Sequence, residues 1–137
     1  MDLSAVPTIL IEQFPGLQAL YLFGSRATDQ ALPGSDLDLA LLLPPGPSDG
    51  EERALELLRV RALCEEAAGG RVDLVDLRAA STILQIEVLR AERRLLVRDA
   101  LAAAEFEMLT LSYYQRLNEQ RRGILGRFRE TGRAYAR

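Results

Sequence analysis

The stretch LYLFGSRATDQALPGSDLDLALLL, Leu20 to Leu43, decides the fold. Two short apolar runs, Ala19 to Phe23 and Leu37 to Leu43, are bounded by turn chemistry and too brief for typical helices, so both are expected to be buried strands. The polar residues sit at their ends. Gly24 follows the first run directly, where the lack of a Cβ lets a ligand approach the backbone, and Ser25 adds a hydroxyl. Together they make a candidate phosphate seat. After ten intervening residues comes Asp36-Leu37-Asp38. Alternation along a strand sends Asp36 and Asp38 to one face and Leu37 and Leu39 to the other.

Two carboxylates side by side push one pKa upward unless a positive charge lies between them. Mg²⁺ is the usual partner, because a hard cation takes oxygen ligands, commonly one or two carboxylates together with substrate phosphates. The plainer alternative makes Asp36 a turn residue after Gly34-Ser35 and Asp38 a solvated strand-edge charge. The spacing shared with a Gly-Ser turn, at the mouth of an otherwise apolar strand, favours the metal reading.

The 137 residues are 48% hydrophobic, enough for one domain with a core and too few for two. A net charge of -3 argues against a general nucleic-acid binder, so no direct nucleic-acid binding is expected. All the basic side chains are Arg, and there is no His. Schiff-base chemistry on lysine, Ser-His-Asp and Cys-His catalysis, and imidazole metal ligation are thereby excluded within the chain. A single cysteine, Cys64, permits neither an internal disulfide nor a thiolate zinc cage and is expected in the core. The N-terminus does not read as a signal peptide, and no apolar run reaches membrane-spanning length. The expected location is cytoplasmic, with no membrane partner.

In chain order, Ser4 or Asp2 is expected to cap a first helix carrying Pro7 in its first turn and Leu10, Ile11 and Phe14 on its apolar side. An irregular or short helical segment, Arg26 to Ala31, and a turn at Pro33-Gly34 link the two strands. After the loop Pro44 to Gly50, a helix from Glu51 to Ala68 is expected to pack through Leu55, Leu58 and Ala62, ending at Gly69-Gly70. Arg71 to Leu77 is a third strand with Val72 and Leu74 on one face and Asp73 and Val75 on the other. A charge early in a buried strand needs a reason, and a third ligand beside Asp36 and Asp38 supplies one. Asp76 has the opposite parity and suits a capping role, yet it stays open as the third carboxylate. Ala80 to Glu92 reads as a helix with Ile83, Ile86 or Val88, and Leu89 inward, and Arg94 to Val97 as an edge strand. From Ala100 to Arg133, Phe106, Leu109, Tyr113, Leu117, Ile124 and Phe128 form a helical stripe, weakened distally by Gly123 and Gly126. Its proximal half suits the chain's own core, and its distal half suits a partner protein or a second copy.

Gly24-Ser25, ten residues, Asp36-Leu37-Asp38 and then Asp73 on a later strand resembles the minimal nucleotidyltransferase family of the DNA polymerase β superfamily. The resemblance covers about the first hundred residues. It implies an α+β fold, a small mixed sheet with helices on one face, followed by a C-terminal amphipathic helix. The catalytic unit would be residues 1–99 and the helix residues 100–137. It also implies two Mg²⁺ ions, ATP as nucleotide donor, and transfer of AMP to a hydroxyl with release of pyrophosphate. Carried over by position, Asp36, Asp38 and Asp73 are the catalytic and metal-holding residues. Gly24 and Ser25 seat the terminal phosphates, with Arg26 as an added contact. Small members resemble antitoxins paired with a helical HEPN-type ribonuclease, so the implied acceptor is a tyrosine of such a toxin. Two alternatives remain: an antitoxin that neutralises its partner by binding alone, and transfer to a small hydroxylated substrate such as an antibiotic. The C-terminal helix is the expected site of homo- or hetero-oligomer contact.

Overall fold

The computed structural model describes residues 2–27, 36–46 and 50–131, and side chains as far as 124. The elements run α1 (Val6–Gln13), β1 (Ala19–Phe23), β2 (Leu37–Leu42), α2 (Gly50–Ala68), β3 (Val72–Asp76), α3 (Thr82–Arg90), β4 (Arg94–Val97) and α4 (Ala100–Thr131). The four strands form one mixed sheet in the order β3-β2-β1-β4. β1 pairs antiparallel with both β2 and β4, whereas β2 and β3 are parallel. Parallel neighbours cannot be joined by a tight turn, and α2 is the crossover that returns the chain.

Side-chain alternation divides the sheet into two apolar faces. Leu20 and Leu22 of β1 with Leu37, Leu39 and Leu41 of β2 pack against Val6 and Leu10 of α1 and Val60, Cys64 and Ala68 of α2. Tyr21, Ala40 and Leu42 face the other way, toward Val88 of α3 and Ala103 and Phe106 of α4. The α+β class and the mixed sheet are as expected, but helices cover both faces instead of one. The reason is in the strands, because β1 and β2 are apolar at successive positions and neither face can be left to water.

Several local expectations change. Neither Ser4 nor Asp2 caps α1: the cap position is Ala5, without a side-chain bond, and Asp2 instead accepts from the Ser4 amide. In α2 the inward residues are Val60, Cys64 and Ala68, while Leu55 is 68% and Leu58 58% exposed, with Ala62 also outward. The inward stripe repeats at four-residue intervals and begins one helical face away from the leucines. In α3, Ile86 and Val88 are buried and Ile83 is exposed. The Ser81 hydroxyl accepts from the Leu84 amide and caps that helix. Among the described side chains of the expected α4 stripe only Phe106 is buried, beside Ala103 and Thr110; Leu109, Tyr113 and Ile124 are exposed and Leu117 partly so. Phe128 lies outside the described side chains, and residues 28–35 and 47–49 lie outside the described residues. The helix nevertheless continues through Gly123 and Gly126.

One polar network ties α4 to the sheet. The buried Tyr21 hydroxyl donates to Glu107, 2.9 Å away, and Arg94 of β4 donates to both oxygens of the same carboxylate. Burial works against the Glu107 charge, but the hydrogen bonds from Arg94 and Tyr21 hold its carboxyl below the ordinary value. Burial and the same carboxylate push the Tyr21 phenol well above its own.

Two measurements check this packing. Val60→Ala should cost about 1–3 kcal/mol, whereas Leu58→Ala should stay within about 0.5 kcal/mol, both read by urea unfolding. Equal costs would contradict the inward face assigned to α2. Glu107→Gln should destabilise by roughly 1–3 kcal/mol near neutral pH. A depressed folded-state pKa gives stability that is present above the unfolded value of about 4.3 and lost as acid protonates the folded carboxylate. The gap between wild type and variant should therefore narrow as the pH falls below the ordinary carboxylate range and through the depressed folded-state pKa, where both side chains become neutral.

Candidate active site

Strand register brings the acids together. Phe23, the last residue of β1, pairs with Asp38, and in the parallel ladder Asp38 lies directly beside Asp73. A bond from the Leu37 amide to the Arg71 carbonyl, 2.9 Å, holds the start of that ladder. Because Leu37 and Leu39 belong to the α1–α2 side, Asp38 shares its face with Ala40 and Leu42, the side of α3 and α4. Asp36 stands exposed one residue ahead of β2. Asp73 is exposed and Asp38 partly buried.

Gly24 is built into this arrangement in two ways. Its φ of +73° lies in the region that favours glycine. A Cβ at that position would collide with Asp38 Oδ2 and lie 3.1 Å from Asp38 Cγ. The glycine therefore gives the backbone its turn and leaves room for the carboxylate, a second role that the sequence did not reveal. Ser25 and Arg26 follow in a short 3-10 turn, Gly24–Ala27, where both are partly buried and engaged in contacts. That turn packs on both β1 and β2.

The electrostatics match the geometry. Burial raises the Asp38 carboxyl above its usual range, and the charges of Asp73, Asp36 and Glu87 raise it further. Glu87 is the fourth acid of this field, carried by α3. Sequence reasoning passed over it, because its approach depends on how α3 packs against β1 and no local motif marks it. Asp76 goes elsewhere: its carboxylate meets Arg53 of α2 at 3.4 Å, and its side chain caps nothing. Cys64 is buried, and its thiol is pushed up to about 11 by that burial, then by Glu65. It has the character of a core residue.

Among the described residues, no group of three or more acidic or cysteine side chains is arranged to hold a metal ion as it stands. The donor chemistry of Asp36, Asp38 and Asp73 nevertheless fits a hard divalent cation. All three offer oxygens, and Asp38 bears the repulsion that a cation would relieve. Asp38→Asn should accordingly raise the melting temperature of the metal-free chain by a few degrees, since it removes one of the crowded charges. Gly24→Ala should cost about 1–3 kcal/mol from the positive φ and the collision. Combining it with Asp38→Ala should recover the collision part, and strictly additive losses in a double-mutant cycle would contradict that contact.

Known proteins carry the same framework. A family model described as "Polymerase beta, Nucleotidyltransferase" matches residues 8–101, from α1 into the first turn of α4. The protein adenylyltransferase MntA of Shewanella oneidensis is 33% identical over 120 residues, spanning 85% of this chain and 80% of the relative. A chain in a crystal structure of a toxin–antitoxin with AMP-PNP superposes with a TM-score of 0.73 at 28% identity, covering 92% of this chain and 97% of that one. Another, from the tri-AMPylated Shewanella oneidensis HEPN toxin in complex with MNT antitoxin, gives 0.64 at 30% identity, over 88% and 90% of the two chains. The matched span holds the glycine turn and all three aspartates, and by that match the chain belongs to the polymerase β nucleotidyltransferase family.

Proposed function

We propose that this nucleotidyltransferase is an adenylyltransferase that moves AMP from ATP to a tyrosine hydroxyl of a HEPN-type toxin, and so acts as its antitoxin. The observation that carries the reading is the placement of Asp38 between Asp73 and the Gly24 turn. The adenylyltransferase relative and the similarity to chains from toxin–antitoxin complexes support the acceptor class.

Asp36, Asp38 and Asp73 would hold Mg²⁺, two ions by family expectation. When bound, the metal neutralises the triphosphate and stabilises both attacking and leaving oxygens of an in-line displacement. The chain's own groups then have separate tasks. Gly24 and Ser25 seat the terminal phosphates through backbone N–H and hydroxyl groups, with Arg26 as a charged contact. Asp73, on the exposed side of the pair, receives the acceptor proton. The tyrosine oxygen forms a bond to the α-phosphorus, the α–β phosphoanhydride breaks, and pyrophosphate leaves. Residues 1–99 form the catalytic unit, and the helix that follows reaches the partner. α4 has no buried residue after Thr110 among its described side chains, yet it carries Leu117 and Ile124 farther along the same stripe.

The exposed stripe also favours a second reading, neutralisation by binding alone. Purified chain, Mg²⁺, labelled ATP and a HEPN-type protein separate the two. Label should appear on the HEPN protein, and Asp36→Asn, Asp38→Asn and Asp73→Asn should each reduce transfer by about 10³-fold or more. Asp76→Asn should keep most of the transfer. Leu117→Asp with Ile124→Asp should weaken complex formation while nucleotide binding persists. Full neutralisation by Asp38→Asn would establish binding alone as sufficient. Transfer to a small hydroxylated compound in place of the protein would overturn the proposed acceptor.

A further inference from the structure

From the end of the sheet away from the aspartates, a cleft of about 520 Å3 runs between α3, α4, Arg78 and Pro45. A strand rises about 3.3 Å per residue, so the five residues of β1 set roughly 16 Å between the Gln18 end of this cleft and the Gly24 turn. The volume falls within the range of small-molecule sites, and the lining joins apolar and polar groups as such sites do. Phe106, Leu109 and Tyr113 of α4 provide an apolar and aromatic wall. Thr110, the single buried polar residue among those described, also lines the cleft.

Arg78 stands at the inner end and is shared with an adjoining cavity of about 280 Å3. Its Nε donates to the Leu43 carbonyl and another guanidinium N–H to Gln18 Oε1, 2.7 Å away, while the cation lies 5.4 Å from the Phe106 ring centroid. All three partners are neutral, and none of the ion pairs among the described residues includes Arg78. In the adjoining cavity Arg53 pairs with Asp76 at 3.4 Å and with Glu56 at 3.7 Å. The Glu56 contact is made by Nε, which is buried and lies beyond hydrogen-bond distance of that carboxylate.

The local charge balance limits what Arg78 can receive in the cleft. Arg78 offers one uncompensated positive charge, whereas Asp76 is already paired and the exposed Glu105 stands on the lining. A dianion would meet both acids. A single carboxylate matches the guanidinium fork and leaves the aromatic wall for a flat apolar body. We infer that the cleft between α3, α4, Arg78 and Pro45 is a binding site for a small aromatic carboxylate, separate from the aspartate site.

Calorimetric titration of the full chain with 2-naphthoate, in buffer containing a chelator, tests this site. Saturable 1:1 binding is expected, about tenfold weaker for the neutral 2-naphthamide. Arg78→Gln and, separately, Tyr113→Ala should each weaken 2-naphthoate by about tenfold or more, and Asp38→Asn should leave it unchanged. Tyr113 is half exposed, so its variant retains the core even if Arg78→Gln loosens the fold. Absence of saturable binding, equal affinity for the amide, insensitivity to Tyr113→Ala, or loss on Asp38→Asn would each overturn the inference. None of these outcomes bears on adenylyl transfer.

Discussion

The structure depends on the register around Asp38. The antiparallel ladder puts Asp38 opposite Phe23, at the residue where β1 gives way to Gly24, and the parallel ladder puts it beside Asp73. A shift of one residue in either ladder would send the carboxylate into the α1–α2 core and a leucine into the site. Apolar burial on both faces of β1 and β2 is what forbids that shift. The same burial costs the site something, because partial desolvation and three neighbouring acids disfavour the Asp38 charge. Stability stored in the strands holds together a group of charges that would otherwise separate.

The helices divide the remaining work. α1 and the inner face of α2 close one side of the sheet with side chains alone. On the other side, α3 brings Glu87 into the aspartate field, and α4 is fastened by Tyr21, Glu107 and Arg94 as well as by Phe106. A carboxylate that receives hydrogen bonds from both β1 and β4 sets the axial position of α4 more sharply than apolar contact could. With that position set, the helix beyond Thr110 projects with an apolar stripe and arginines exposed. The cation–ring contacts of Arg90 with Tyr114 and Arg116 with Tyr113 help to order this part.

Much of the site was legible because its parts are local. A glycine at the end of an apolar strand and acids of one parity at the start of the next can be read from spacing alone, and all eight helices and strands follow from periodicity and breakers. The faces of the helices were less legible. Leu55 and Leu58 in α2 and Ile83 in α3 are apolar residues at helical spacing, but each turns to solvent because other apolar side chains of the same helix meet the sheet better. Composition ranks residues by hydrophobicity and does not say which face a neighbour covers. Helices on both sides of the sheet, and the partners of Asp76 and Glu87, are long-range facts of the same kind.

By itself, the sequence determined the order of the elements, the alternation that gives Asp36 and Asp38 a common face, and the chemistry available. With no histidine or lysine, oxygen ligands and arginine are what the chain can offer to a phosphate or a cation. Those properties rest on covalent order and on strand and helix periods, which hold before any packing occurs. Only the tertiary structure decided that Asp73 lies beside Asp38, that Gly24 must lack a side chain because a carboxylate fills its space, and that Arg78 is held by neutral partners at the edge of a cleft. Each of these depends on segments far apart in the chain, and only burial of the shared core sets their distances.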